Sequence, residues 1–581
     1  MKVIQVSELR RFQCVLPEFP LSHFNTIAMQ KNKNRLDGAM LIETSWEVCN
    51  KVGGIYTVLS TKAAELKKQF GDKLIFIGPD VWTEDHPSPD FIERKTLLKS
   101  AANKLSLPFG ISIRVGRWEV PGKPVAILVK YDSVMPELDS IFGEMWNDYG
   151  VDSLNGYDDY RPSCAFAIAA AEVIMALAKH LGQNPENLIA HFDEWTTGMG
   201  LLLLKKNMPK AATVFTTHAT SIGRSIASNG KNLYQYFTGY NGDQMARELN
   251  MVAKHSLEKA AAHQADCFTT VSEVTAKECT QLLEITPQVV TPNGFNNSLV
   301  PKGNNYTVAH NKSREKLLKI ASALTGRDFG PDTVIVATSG RNEYRNKGID
   351  LYIDSMVRLG NNLLNNVDEP KQILALILVP AWVAGPNAPL LDKLDGVDNG
   401  PINPDFTTHR LNNEGNDAIF QRLLQLSESM QASPVSFVYA PCYLDGKDGV
   451  IDLTYYEVLT GVDVTLFPSY YEPWGYTPLE SVAFGVPTAT TSLSGFGQWA
   501  SAHFPDGFLE SGVLTVNRSD TDYDECAGVL AKALEQVSQY TPKEKTKVSA
   551  QAKKTASKAS WNLFIQYYFE AYRYALENKQ K

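Results

Sequence analysis

The chain has 581 residues, 44% of them hydrophobic and 10% aromatic, so it is too long for one core and too apolar for a disordered polymer. Its 56 basic and 64 acidic residues leave a net charge of -8, which argues against a nucleic-acid or anionic-membrane partner. Seven scattered cysteines without a C-x-x-C pair argue against a disulfide framework or a zinc site and fit a reducing, cytoplasmic setting.

In chain order, residues 1–37 show no hydrophobic period and no secretory signal, and read as an extension without an assigned role. Residues 39–43 read as a strand, Asn50-Lys-Val-Gly-Gly-Ile55 as a turn, and the apolar positions 59, 63 and 66 as the helix after it. Strand, glycine turn and helix form a phosphate-type element, although paired glycines also serve merely to turn a chain. Residues 74–78, 125–129 and 188–190 continue the strands, separated by helical stretches, and this alternation predicts parallel sheets covered by helices. The apolar segment from Cys164 to Leu181 contains Glu172 and Lys179 and reads as a buried helix, not a membrane span.

A strand over 214–217 runs into His218 and Arg224, and strands near 269–272 and 289–294 close the first half before a polar linker at 296–305. The second half opens with a strand at 333–340 leading to Arg341-Asn-Glu-Tyr-Arg-Asn-Lys347, which on composition alone is an ordinary charged loop. Strands at 373–380 and 435–439 flank a Gly-, Pro-, Asn- and Asp-rich stretch, 381–416, expected to loop outward. The run 462–467 suits a buried strand; Pro468, Pro473 and Gly475 then break it. Thr477 is expected as N-cap with Pro478 at the first helical position and Glu480 completing a capping box. A helix start outside a strand's carboxyl end presents unpaired N–H groups and a positive dipole end, so the amides of Trp474, Gly475 and Tyr476 are candidates to hold phosphate. Residues from Trp561 repeat apolar side chains at helical spacing, with Ser560 as the expected cap. The expected division is 1–37 extension, 38–300 and 301–545 two Rossmann-like α/β domains facing across a cleft, and 546–581 a closing C-terminal helix.

The string Pro468-Ser-Tyr-Tyr-Glu-Pro-Trp-Gly-Tyr-Thr-Pro-Leu-Glu480 resembles the glycogen synthases of animals and fungi, retaining glycosyltransferases of the GT-B type with an E-x7-E motif. The resemblance implies transfer of glucose from UDP-glucose, or ADP-glucose, to the non-reducing end of an α-1,4-glucan such as glycogen. Glu472 would then lie beside the transferred glucose and Glu480 on the ribose. It further implies donor binding by Gly53 and Gly54, with Lys51 nearby; His218 near the reacting sugar; Arg224, Arg341 and Lys347 on the phosphates; and Tyr455 stacked on the base. Trp474, Gly475, Tyr476 and Thr477 line the donor site in the same reading. Asp193, in Ala190-His-Phe-Asp-Glu-Trp195, stands where the family usually has His, and is therefore left outside the catalytic set.

Neither metal nor cofactor is expected, and a homo-oligomer is compatible with the resemblance. The arginine cluster by which those relatives bind glucose 6-phosphate is replaced here by lysines between Lys543 and Lys558. Saturating glucose 6-phosphate is therefore expected to change turnover less than about twofold in a glucose-incorporation assay, a window well inside the roughly fivefold that a coupling of 1 kcal/mol would give.

Overall fold

The computed structural model describes residues 35–83, 85–397 and 400–579, so most of the N-terminal extension lies outside the described residues. Among them, the first half builds a sheet of β1 (Met40–Thr44), β2 (Leu74–Pro79), β3 (Phe91–Glu93), β4 (Ser112–Trp118), β5 (Val125–Lys130), β6 (Leu188–Asp193), β7 (Ala212–Thr217), β8 (Cys267–Thr270) and β9 (Val289–Val290). Their order is β3-β4-β5-β2-β1-β6-β7-β8-β9. All residues of β1, β2, β6 and β7 are buried, as parallel strands covered on both faces require. The sheet is not wholly parallel, because β4 pairs antiparallel with both β3 and β5. The short, partly exposed β3 and β4 carry no long apolar run and were not anticipated from composition.

The second half has β10 (Val334–Ser339), β11 (Ile373–Leu378), β12 (Val383–Pro386), β13 (His409–Leu411), β14 (Val435–Ala440), β15 (Val464–Leu466), β16 (Thr488–Thr491) and β17 (Val513–Val516). Six of these form a sheet ordered β14-β11-β10-β15-β16-β17, parallel throughout. The stretch expected to loop outward instead folds back as the antiparallel ribbon β12–β13 and the helix Ala388–Leu394. It stays attached because Thr408 and Tyr439 exchange backbone hydrogen bonds with the edge strand's surroundings, Thr408 N–H to Tyr439 C=O at 3.0 Å and Tyr439 N–H to Phe406 C=O at 2.6 Å.

The Tyr160–Leu181 helix is apolar enough to cross a bilayer, but two-thirds of that window is buried inside the protein, 67%. It packs under the first sheet with Cys164, Phe166, Ile168 and Ile174 fully covered. The helix Pro542–Lys558 lies on the second lobe. The chain then crosses back, Phe295 N–H bonding Ala559 C=O at 2.9 Å, and the helix Trp561–Asn578 packs on the first. Ser560 does occupy its N-cap position, but its hydroxyl donates to Ser557 C=O at 2.9 Å and makes no cap bond, a departure from expectation. Trp561 Nε1 donates to Thr61 Oγ1 at 2.7 Å, and Phe564, Tyr568 and Tyr572 join one apolar cluster that includes Leu41 and Phe76 of the first lobe and Ile335 and Leu376 of the second.

The turn after β10 closes at Gly348, which has φ +67 and whose missing Cβ would stand 2.0 Å from the Pro468 carbonyl oxygen. Gly348→Ala combines left-handed strain with a backbone collision, each worth roughly 1–3 kcal/mol. The variant is expected to lose about 2 kcal/mol or more, measured as a fall in the urea midpoint of the full chain; an unchanged midpoint would show that the two loops are not in contact.

Candidate active site

Two loops at the carboxyl ends of second-lobe strands meet at the cleft. The turn after β10 carries Arg341 and Lys347; the loop after β15 carries Glu472. Asn346 C=O accepts from Tyr470 N–H at 2.9 Å and Tyr471 N–H at 3.0 Å, which sets the loops in register. Lys347 Nζ consequently sits 2.5 Å from Glu472 Oε2, both side chains mostly buried. Arg341 Nη2 pairs with Glu343 Oε1 at 2.9 Å while over half of its side chain remains open, 56%. Burial and the charge of Arg224 push the Arg341 guanidinium below its ordinary value. Burial acts the same way on Arg224, but Tyr471, Glu194, Glu343 and Glu472 outweigh it and leave Arg224 raised. Arg224 belongs to the first-lobe helix Ser221–Ser228, so the cations of both lobes share neighbours. Such a group suits an oxyanion, for which guanidinium forks and an ammonium are complementary donors.

The helix behind Glu472 spans Tyr476–Ala483 and begins two residues earlier than the sequence suggested. Gly475, at φ 104, is its N-cap, with no side-chain cap bond, so Thr477 is not the cap and lies in the first turn. Glu480 closes no capping box: its Oε1 accepts from the Tyr456 hydroxyl at 2.8 Å. A glycine at this φ turns the chain straight into the helix where a Cβ would meet Ser494 Oγ at 3.0 Å and Glu472 Cγ at 3.4 Å. The first-turn amides are therefore left for a ligand. Trp474 is a packing anchor, its ring buried against Phe496 and Phe564 at 6.1 Å each and its carbonyl accepting from Phe496 N–H at 2.7 Å. The Tyr476 hydroxyl reaches across to Gly294 C=O at 3.3 Å. Tyr455 opens the helix Tyr455–Thr460, and its hydroxyl lies 3.1 Å from Ser339 Oγ at the end of β10.

In the first lobe Gly53 caps the helix Gly54–Phe70. Its N–H is already taken by Glu47 Oε2 at 2.6 Å, which also accepts from Tyr56 N–H at 2.9 Å. A carboxylate of the chain itself thus occupies the Gly53 amide at that part of the dipole end. Gly54 faces open space. Lys51 is exposed, 5.8 Å above the Tyr56 ring, and its charge reaches Glu480 in the other lobe. His218, mostly buried, has Nε2 3.2 Å from Asp193 Oδ1 and its N–H bound by Glu194 Oε1 at 2.8 Å. Glu194 holds φ 66, an unusual conformation for a side-chain-bearing residue.

Several contributors were not singled out from sequence. Tyr471 donates to Glu278 Oε1 across the cleft at 2.7 Å. Tyr470 accepts from Leu233 N–H at 2.9 Å and donates to Asp520, whose other oxygen accepts from the N–H groups of Tyr234 and Gln235 at 3.0 and 2.7 Å. Both tyrosines, Glu194 and Glu47, the last within Trp46-Glu-Val-Cys-Asn-Lys-Val-Gly-Gly54, lie inside strings that marked the site, which was the available signal; Glu278 carries none. Two groups place metal-type ligand atoms within 4.8 Å of one another, His409–Cys442–Asp448 and Glu43–His191–Asp193. In the first, Asp448 is spent on the N–H groups of Val450, Ile451 and Asp452, and burial pushes the Cys442 thiol up to about 12. In the second, Lys62 already supplies the cation. Neither is built for a metal.

Two Rossmann-like lobes with cation-bearing loops at their strands' carboxyl ends define a glycosyltransferase of the GT-B fold. The family model for glycogen synthase matches residues 43–393 and 397–580, and the chain belongs to that family. Among relatives, the Neurospora crassa glycogen [starch] synthase is 27% identical over 92% of this chain and 83% of its own. The liver enzyme of Rattus norvegicus is 28% identical over 94% and 84%. Among solved structures, the catalytic domain of Arabidopsis thaliana starch synthase IV, bound to ADP and acarbose, superposes with a TM-score of 0.57 at 14% identity, covering 93% of this chain and all of that one. A UDP-forming trehalose-phosphate synthase from Burkholderia xenovorans gives 0.50 at 14% identity, covering 92% of this chain and 99% of that one. These two likenesses concern the fold.

Burial pushes the Glu480 carboxyl up to about 7, against the opposing Tyr456 hydrogen bond and Lys51 charge. It is therefore ionised above that pH and protonated below it. If the carboxylate is what accepts from the donor's nucleoside, KM for the donor rises as pH falls through about 7. Glu480→Gln should show a flat KM profile across the same range, read by initial rates at fixed ionic strength.

Proposed function

We propose that the protein transfers glucose from a nucleoside diphosphate sugar, UDP-glucose in the first instance, to the non-reducing end of an α-1,4-glucan with retention at the anomeric carbon. The observation that carries the reading is the Lys347–Glu472 contact at 2.5 Å, set at a helix start and flanked by Arg341 and by Arg224 of the opposite lobe. In this reading residues 301–545 hold the nucleotide sugar and 38–300 present the glucan acceptor, with 546–581 closing the two. Arg341, Lys347, Arg224 and the amides of Tyr476 and Thr477 receive the diphosphate. Tyr455 meets the base, Glu480 the ribose, and Gly54 with Lys51 the donor's first-lobe side.

The bond from the anomeric carbon to the β-phosphate oxygen breaks as the acceptor hydroxyl attacks from the same face, and the hydroxyl proton passes to the departing phosphate oxygen. Negative charge grows on the diphosphate and positive charge on the sugar. The cations stabilise the first, and Glu472, its oxygen released from Lys347 as phosphate takes that ammonium, supports the second. One well-placed donor in such a site contributes roughly 3–4 kcal/mol. Six buried cysteines among the described residues form no disulfide, in keeping with a cytoplasmic location.

Incubation with labelled UDP-glucose or ADP-glucose and glycogen tests the proposal. Incorporation is expected from UDP-glucose. Lys347→Ala should lower kcat on the order of 10²–10³-fold, and Glu472→Gln at least as much. Donor binding without transfer by the intact wild-type chain would overturn the reading.

A further inference from the structure

A line of buried charge runs under the cleft and surfaces at one residue. Lys62 Nζ lies 2.6 Å from Glu43 Oε1, both side chains fully buried. Glu43 Oε1 is 3.2 Å from His191 Nδ1, and His191 Nε2 is 2.6 Å from Thr216 Oγ1 and 3.8 Å from Asp193 Oδ1. Asp193 Oδ1 then meets His218 Nε2 at 3.2 Å. From the other side, the C-terminal helix supplies the Tyr572 hydroxyl, 3.2 Å from His191 Nδ1, and the Tyr568 ring, 4.3 Å from Lys62 Nζ. Glu43 Oε2, Asp193 Oδ2 and the Tyr568 hydroxyl are buried with no partner among the described residues.

Enclosing such groups is costly, with burial pushing the Glu43 carboxyl up to about 8 against the Lys62 charge, and apolar residues of similar size usually serve stability as well or better. The expense is accounted for if the line does something at its exit. Burial pushes His191 down to about 3, so it is a neutral spacer. Burial works to raise Asp193, but its polar contact with His191, the His218 Nε2–H hydrogen bond and the Lys62 ammonium outweigh it and hold the carboxyl low, so it is an acceptor only. An acceptor at Nε2 requires the proton there. In a neutral imidazole the other nitrogen, Nδ1, then carries the lone pair. His218 is held besides by its N–H on Glu194, and Nδ1 makes no hydrogen bond among the described residues.

We propose that Asp193 is the positioning residue for His218, fixing it as the Nε2–H tautomer so that Nδ1 accepts a hydroxyl of the bound hexose. This rests on the glucosyl-transfer reading. Lys62, Glu43 and the two tyrosines of the C-terminal helix act through Asp193, which ties that helix to the cleft.

The test uses the full chain. Asp193→Asn keeps the shape, but its amide can present N–H to Nε2 and reverse the tautomer. The expected result is a fall in kcat on the order of 10²-fold, within the range that a wrongly protonated or misoriented His costs. KM for UDP-glucose should stay within threefold and thermal midpoint within a few degrees. A kcat within twofold of wild type, or a loss that follows the midpoint alone, overturns the proposal. Should the variant fail to fold, ¹⁵N-histidine spectra of the wild type decide, with the His218 signals assigned by their loss in His218→Gln. A bare Nδ1 at pH 8 supports the assignment, and a protonated Nδ1 overturns it. Absence of any glucosyl transfer by wild type defeats the functional reading instead, and the spectra still report the tautomer.

Discussion

The cleft depends on how the loop 468–475 is fixed. Two peptide N–H groups of that loop converge on the Asn346 carbonyl, while the tyrosine side chains on the same two residues reach into the first lobe. Backbone therefore sets the distance between Lys347 and Glu472, and side chains set the distance between the lobes. A charged pair at 2.5 Å holds its geometry only where its surroundings are rigid, because in water two mobile side chains gain little from meeting. Here the flanking hydrogen bonds are mostly buried, and an unmade one would cost about 1–3 kcal/mol. The loop thus has few alternatives that leave those groups satisfied.

The C-terminal helix makes the second half of the same arrangement. It is joined in sequence to the second lobe but buried in the first, where Trp561, Phe564, Tyr568 and Tyr572 extend one apolar cluster through both. Its two tyrosines also cover the Lys62–Glu43 pair, so a segment that packs as hydrophobe also closes a polar interior. Relative motion of the lobes must be accommodated around this covered joint and around the tyrosine contacts at the opposite side of the cleft.

The buried strands were legible because parallel strands covered on both faces need continuous apolar runs, and β2, β5, β10, β11 and β14 have them. β3 and β4 were missed because a short, half-exposed edge pair has no such run. The helix start was placed two residues late because Thr477-Pro478 is a strong local start pattern, whereas Gly475 at positive φ and the packing of Trp474 decided the actual geometry. The resemblance put Gly53 and Gly54 at the donor, and nothing in the turn announced that Glu47, six residues before Gly53, takes the Gly53 amide. Nothing in local pattern distinguishes a carboxylate that turns back on a helix from one that faces water. Tyr455 opens a helix set by the Thr454–Glu457 capping box, a pattern present in the sequence and not used.

By itself the sequence determined the succession of buried strands and covering helices, the loops that follow them, and the residue types able to meet a diphosphate sugar, since these rest on local periodicity and on contiguous strings. Tertiary structure alone decided that Arg224 meets the surroundings of Arg341, that Tyr471 ends on Glu278, and that Asp193 stands behind His218. Those pairings join residues that spacing along the chain cannot relate, and they exist only once desolvation has made an unpaired polar group more costly than a paired one.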